Sequence, residues 1–273
     1  MSDERNRSAS LRRALAVLDH VRARAADGRG VSLTEAADAL GLSKSTVLRL
    51  TTPLVEADLL TRDRDTGRFR LGPGTLRLGQ AYLASLDLRT VASEPLRRLQ
   101  RELAETCHLV VPDLPDVVYI DKVEDEHHVR MASRVGSRMP AYRTAVGKAV
   151  LAWLDEAALR RVAAAGMPRV TARTITDPDR LRAELERVRL LGYAVDDREN
   201  EPQVRCVAAP IFDHSGTVAG ALSVSGLTSR MTPSRVRRVG PLVAAACADI
   251  SRVLGSGRRP PRVRDAASGP SDL

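Results

Sequence analysis

A small all-α N-terminal domain carrying a short wing, followed by a larger α+β domain, is the fold this 273-residue sequence predicts. Three observations carry the prediction. Between Leu11 and Leu54 the apolar residues recur at helical spacing in short segments that stop at Gly. From Cys107 the period changes to the alternation and short apolar runs of strands, with helices interspersed. Between these regions Gly72-Pro73-Gly74 punctuates the chain.

Met1–Ser10 reads as a polar arm, and Ser10 as the cap of a first helix. Its apolar positions are Leu11, Ala14, Leu15, Leu18 and Val21, and it ends near Asp27-Gly28. Ser32-Leu33-Thr34-Glu35 has the spacing of a capping box, in which each side chain satisfies an orphan N–H of the new helix. That helix is short, with Ala36, Ala37 and Leu40 on its apolar face and Gly41 where a left-handed residue is wanted. Ser43 caps the next helix, whose buried stripe is Val47, Leu50 and Leu54. Helix, tight Gly turn and helix make a helix-turn-helix. Pro53 is out of place, because a proline inside a helix costs ~3 kcal/mol. A milder solution is a break, with Thr52 as a new cap and Pro53 at the first helical position, and the sequence leaves the two open.

Lys44, Ser45, Thr46 and Arg49 point away from the buried stripe, at the end that a recognition helix presents to the major groove. They are the residue types that contact phosphates and base edges. Leu59–Arg62, a turn over Asp63–Gly67, and Arg68–Leu71 then form a basic hairpin, Phe69 and Leu71 on one face and Arg68 and Arg70 on the other. Such a hairpin after a helix-turn-helix is a wing. The candidate DNA contacts are therefore Ser43, Lys44, Ser45, Thr46, Arg49 and Arg68, against the plainer alternative of a helical hairpin whose cations merely face water.

Leu76, Leu78, Tyr82, Leu83, Leu86 and Leu88 predict a helix too apolar to be a bare linker. A second helix follows with Leu96, Leu99 and Leu103, Pro95 near its start. His108–Val111, Val117–Val123 and Val129–Ala132 read as strands. Thr144–Leu154, Asp155–Ala165 and a helix from Asp177-Pro178 to Gly192 follow. Strands at Tyr193–Asp196, Val204–Ile211 and Val218–Ser225 come next, the last two joined across Asp213–Gly216. A final helix starts at Thr232-Pro233 and reaches Leu254, and the tail beyond Gly255 has the composition of a disordered segment. The sheet should be mostly antiparallel. The expected divisions are a DNA-binding domain over 8–72, a linker helix over 73–90, an α+β domain over 91–255 and a tail over 256–273.

The formal charge of +9 suits a polyanionic partner, although the excess is spread along the chain. Three widely spaced cysteines, Cys107, Cys206 and Cys247, indicate neither a disulfide framework nor a zinc site. No apolar run approaches a membrane span and the N-terminus is unlike a signal peptide, so a cytoplasmic location is expected. Catalytic chemistry finds no footing. Ser223-Val224-Ser225-Gly226 lacks a nucleophile elbow, Tyr142 stands where a P-loop's first Gly belongs, and the rings of His127 and His128 point apart. Cys107 and His108 face opposite sides of a strand. No catalytic residue, metal ligand or cofactor fingerprint is identified.

Several phrases, in order and spacing, resemble the IclR family of bacterial transcriptional regulators. They include Ser10–Leu15, Lys44–Leu50, Arg68–Gly72, Val118–Val123, Pro140–Lys148, Tyr193–Asp197, Val204–Pro210 and Ala221–Gly226, and together span roughly residues 8 to 254. The resemblance implies a winged helix-turn-helix, a linker helix and a GAF-like effector-binding domain. It also implies effector contacts at Ala145, Val146, Asp196, Cys206, Ser223 and Ser225. The sequence departs from the family at Pro53 and at Asp58, where Gly is usual.

A pocket has support from the residues themselves. Ser223 and Ser225 lie two apart on a strand, so both hydroxyls face one side and need a partner. Ala145-Val146-Gly147 open a helix whose N–H groups favour an anion. An oxygen-rich metabolite such as an organic acid fits both, although Asp196 would repel a carboxylate unless it is protonated or bonded to a ligand hydroxyl. The resulting expectation is a regulator, in the sense of a repressor, that binds double-stranded operator DNA as a homodimer or dimer of dimers and responds to a small effector. A protein-docking sensor or enzyme and a site-indifferent architectural DNA binder are the alternatives, and a domain with a dead pocket is a third.

Overall fold

The structure, a computed structural model, describes residues 2–25, 28–84, 87–124 and 133–258, without the side chains of 2–8 and 82–84. The chain divides into two compact units, Met1–Ser85 and Leu86–Leu273.

In the first unit, helix α1 spans Ser2–Ala23. The expected polar arm is therefore helical, and Ser10 is not a cap. Residues 2–10 contain no Gly or Pro, so no helix breaker stands between Ser2 and the apolar stripe. The buried stripe is Val17 and Val21, flanked by Ala14 and Leu18, while Leu11 and Leu15 are 62% and 52% exposed. Helix α2 covers Leu33–Leu40 and α3 covers Lys44–Glu56. The capping box forms as expected: Ser32 N–H donates to Glu35 Oε2 at 2.7 Å and Glu35 N–H to Ser32 Oγ at 3.2 Å. Gly41 ends α2 at φ 62°, and Ser43 Oγ accepts from Thr46 N–H at 3.2 Å to start α3.

Of the two possibilities at Pro53 the structure has the unbroken helix: α3 runs through it. The proline removes only the bond to the Arg49 carbonyl, and both residues are on the water-facing side. The hydroxyls of Thr51 and Thr52 each donate to the Leu48 carbonyl at 3.0 Å, supporting the turn just before it. Strands β1 (Leu60–Arg62) and β2 (Phe69–Leu71) pair as the wing. Val31 adds a bridge that the sequence did not reveal, exchanging two hydrogen bonds with Phe69 at 2.8 and 2.7 Å. Asp58 has φ 58°, the conformation that the family's Gly would take freely, and its carboxylate pairs with Arg77 at 2.9 Å. Helix α4 spans Pro73–Ala84 and is shorter than expected. Leu88 instead opens the next helix, and the Leu83 side chain and Leu86 lie outside the described residues.

The second unit begins with α5, Leu88–Leu103, capped by Asp87, which accepts from Thr90 N–H at 3.1 Å. That early cap puts Pro95 inside the helix, not near its start. Strands β3 (Thr106–Asp113), β4 (Asp116–Val123), β5 (Arg138–Pro140), β6 (Ala194–Asp197), β7 (Val204–Phe212) and β8 (Val218–Leu227) form one antiparallel sheet in the order β5-β4-β3-β8-β7-β6. The short edge strand β5 was not expected, and the strand expected at Val129–Ala132 lies outside the described residues. Helices α6 (Ala145–Leu151), α7 (Glu156–Ala164) and α8 (Pro178–Leu191) cover one face. There Ala149, Val150, Leu181 and Leu185 pack on Val110 and Ala208. Helices α5 and α9 (Pro233–Val253) cover the other, with Leu96, Leu99, Val243 and Ile250 on Leu109, Val207 and Leu222. With both faces covered, β7 and β8 read as nearly continuous apolar runs, and a polar side chain in them needs a local reason. Among the described residues no helix is long and apolar enough to cross a membrane.

Candidate functional site

In the first unit, Lys44, Ser45 and Arg49 are exposed on α3 and Thr46 is half-buried. Ser43 is committed to the helix end, since its hydroxyl also lies 3.0 Å from Ser45 Oγ and 2.8 Å from Thr46 Oγ1. Arg68 is placed differently from the bare phosphate contact that the sequence suggested. Its guanidinium donates to both Glu35 oxygens at 2.8 and 2.7 Å and to the Gly30 carbonyl at 3.2 Å, tying the wing to α2. Hydrogen bonds from the Ser32 N–H and hydroxyl, and then from Arg68, push the Glu35 carboxyl down to about 2. Arg64 at the wing's turn and Arg70 on β2 are exposed, and neither is among the DNA contacts expected from the sequence.

In the second unit, the strand register builds the site. Asp196, Cys206 and Ser225 are direct neighbours across β6, β7 and β8. Ala208, Ser223 and His108 form a second row, across β7, β8 and β3. Helix α6 closes over these rows. Gly147 lets the turn before α6 fold tightly against the helix: a Cβ there would lie 2.2 Å from the Ala141 carbonyl oxygen. Thr144 caps α6 by accepting from Gly147 N–H at 3.1 Å. What remains is a cavity of about 160 Å³, and all six expected effector positions, Ala145, Val146, Asp196, Cys206, Ser223 and Ser225, line it.

His108, Tyr119 and Met139 also line the cavity and were missed. Reading Cys107 and His108 as a pair obscured the histidine; the alternation that puts Cys107 in the core turns His108 to the polar side. Its Nε2 lies 2.8 Å from Ser133 Oγ, and its Nδ1 lies 3.4 Å from both Ser223 Oγ and Ser225 Oγ. Tyr119 meets it edge-on at 5.1 Å. Burial, reinforced by Lys122, pushes His108 down to about 3, so the ring is neutral.

Asp196 is 3% exposed and accepts from the N–H groups of Glu199 at 2.7 Å and Asn200 at 3.3 Å. Burial and the Glu199 charge outweigh those bonds and Lys148, raising its carboxyl to about 7. Burial and Asp196 hold the Cys206 thiol well above its usual range, so it stays a thiol. Among the described residues neither Lys nor Arg lines the cavity. Lys148 lies fully buried behind it, with Nζ 2.5 Å from Glu199 and 3.5 Å from Glu184. Burial opposes its charge, but the two carboxylates prevail and raise its pKa. Among the described residues no cluster of His, Cys, Asp and Glu could hold a metal ion.

Comparison with known proteins bears on both units. The IclR helix-turn-helix domain matches residues 10–64, and the C-terminal domain of the bacterial transcriptional regulator IclR matches residues 80–252. The transcriptional regulator XynR of Escherichia coli is 34% identical over 247 residues, covering 90% of this chain and 97% of that protein. The E. coli repressor AllR is 33% identical over 252 residues, covering 92% of each. The Agrobacterium tumefaciens repressor BlcR superposes with a TM-score of 0.77 at 29% identity, over 93% of this chain and 99% of that one. The Thermotoga maritima IclR does so at 0.60 and 33% identity, over 91% and 99%. These proteins are regulators, not enzymes.

Proposed function

This chain belongs to the IclR family of bacterial transcriptional regulators, with a helix-turn-helix DNA-binding domain and a C-terminal effector-binding domain, and from that premise we propose which residues carry each role. Lys44, Ser45, Thr46 and Arg49 read operator DNA from α3, and the cavity under α6 holds a small effector that resets this binding. The convergence of Ala145, Val146, Asp196, Cys206, Ser223 and Ser225 on one cavity carries the reading. The effector is a small hydroxylated carboxylic acid. The first turn of α6 accommodates its charge, the serines and His108 bond its oxygens, and Asp196 receives it in protonated form. Repression is the favoured sense of control, since AllR and BlcR are named repressors. The working form is a homodimer: Leu11, Leu15, Leu76 and Leu78 are all more than half exposed in the first unit, and a palindromic operator needs two reading helices.

Titrating 2-hydroxy and 2-oxo acids against the protein–operator complex tests this reading. Ser223→Ala/Ser225→Ala should bind operator like the wild type yet lose the response, each hydrogen bond contributing ~0.5–1.5 kcal/mol to effector affinity. A double variant that responds to the same acid like the wild type would place the effector elsewhere.

A further inference from the structure

The second unit holds another cavity, larger at about 510 Å³, that the effector site does not use. It lies among α8, β6, the start of α9 and residues 169–175. Seven arginines and three carboxylates line it. The whole chain carries 43 Lys and Arg against 34 Asp and Glu, so the excess at this cavity is local and not the chain's average.

The three carboxylates are already engaged. Asp197 accepts from Arg205 Nε at 2.7 Å and pairs also with Arg173 and Arg198. Glu199 holds Lys148, and Glu184 lies between Lys148 at 3.5 Å and Arg187 at 4.0 Å. Arg180 and Arg237 are exposed and make no ion pair with the described residues. Guanidinium groups gathered around one concavity repel one another, and an anion that bridges several of them relieves that repulsion with charge-assisted bonds. A second observation concerns Glu199, which is 7% exposed and lines the cavity. Its Oε2 is buried without a hydrogen-bond partner among the described residues, so it calls for a donor such as a hydroxyl. Tyr193, Val195 and Val236 supply apolar surface for a carbon skeleton.

We propose that this arginine-walled cavity is a second ligand site, which takes a small phosphorylated polyol with its phosphates on the arginines and a hydroxyl toward Glu199. The probe is fructose 1,6-bisphosphate, titrated by calorimetry into the full-length, DNA-free protein at fixed ionic strength, with inorganic phosphate for comparison. A saturable isotherm is expected, with one bisphosphate per chain and inorganic phosphate binding more weakly. Arg180→Glu/Arg237→Glu should weaken bisphosphate binding at least ~10-fold, while Arg160→Glu/Arg238→Glu, exposed positions outside the cavity, should stay within about twofold. Ser223→Ala/Ser225→Ala should bind the bisphosphate like the wild type, whatever becomes of the first cavity. Absence of a saturable isotherm, equal losses in the two charge-reversal variants, or loss in the serine variant each overturns the proposal. So does a result in which Arg180→Glu/Arg237→Glu weakens operator binding alone, which would make the cavity a surface for DNA backbone.

Discussion

Lys44, Ser45 and Arg49 face water within two turns of one helix, whereas Asp196, Cys206, Ser223 and His108 meet across four strands in a space largely shielded from it. The contrast is one of cost. A polar group on the surface keeps its solvation and waits for DNA, so replacing it should alter binding and leave stability alone. A polar group in the covered sheet must find partners inside the protein, and its proton affinity moves with its surroundings. His108 pushed down to about 3 and Asp196 raised to about 7 record that difference.

The largest effect that would break this contrast is at Lys148. It is fully buried against Glu199 and Glu184, and removing one partner of a buried ion pair leaves the other charge uncompensated. Lys148→Met is expected to destabilise the second unit by ~3–5 kcal/mol. Urea denaturation followed through Trp153, the sole tryptophan, reads that unit directly. An unchanged midpoint would mean that the pair adds nothing to the fold.

On the exposed side, Arg49→Ala should weaken operator binding by ~1–3 kcal/mol while leaving the denaturation midpoint alone. A gel shift and a melt on the same preparation decide it. A loss of stability as large as the loss of affinity would erase the distinction between the two regions.

Asp196 sharpens the comparison through pH. Its folded carboxyl, raised from 3.8 to about 7, binds a proton more tightly than in the unfolded chain. Stability from this group is therefore full below about pH 4 and is lost as pH rises through about 7. Asp196→Asn keeps an oxygen for the Glu199 and Asn200 N–H groups but has no proton to lose. The variant should gain ~1–2 kcal/mol over the wild type at pH 8 and little at pH 4.5. Affinity for an acidic effector should fall in the wild type as pH rises through the same window and stay flat in the variant. Parallel pH profiles for the two proteins would rule out protonation of Asp196.

The two regions were also unequally legible in the sequence. Ser32, Glu35, Gly41 and Ser43 act within a few residues of themselves, so caps and spacing located α2 and α3 closely. Pro53 was not decided by the sequence, because the cost of a proline depends on which carbonyl loses its partner and whether water reaches it, and here that carbonyl is Arg49's on the water-facing side. The cavity depends on strand register, which no local pattern in β3 or β8 dictates. The serine pair showed that something polar lay on that face of the sheet. That Ser223 sits beside His108, and Ser225 beside Cys206, follows from pairings between residues more than a hundred apart in one case and about twenty in the other. The resemblance to known regulators supplied the six positions, and the structure supplied His108 and Tyr119.

The smallest predicted effect lies on the wing, where two neighbouring arginines of one strand arm differ in what they touch. Arg70 is exposed on β2, and a cation that displaces a counterion from DNA contributes about 0.9 to the slope of log affinity against log salt. Arg70→Ala should flatten the slope by roughly that amount if its side chain meets a phosphate. Arg68 is half-buried, with its guanidinium occupied by both Glu35 oxygens and the Gly30 carbonyl. Its replacement should leave the salt slope nearly unchanged and instead loosen the wing against α2, lowering affinity for all sequences alike. Binding isotherms for both variants at several salt concentrations separate the cases. A flatter slope for Arg68→Ala than for Arg70→Ala would mean that the Glu35 pair opens on DNA, with the guanidinium exchanging a carboxylate for a phosphate.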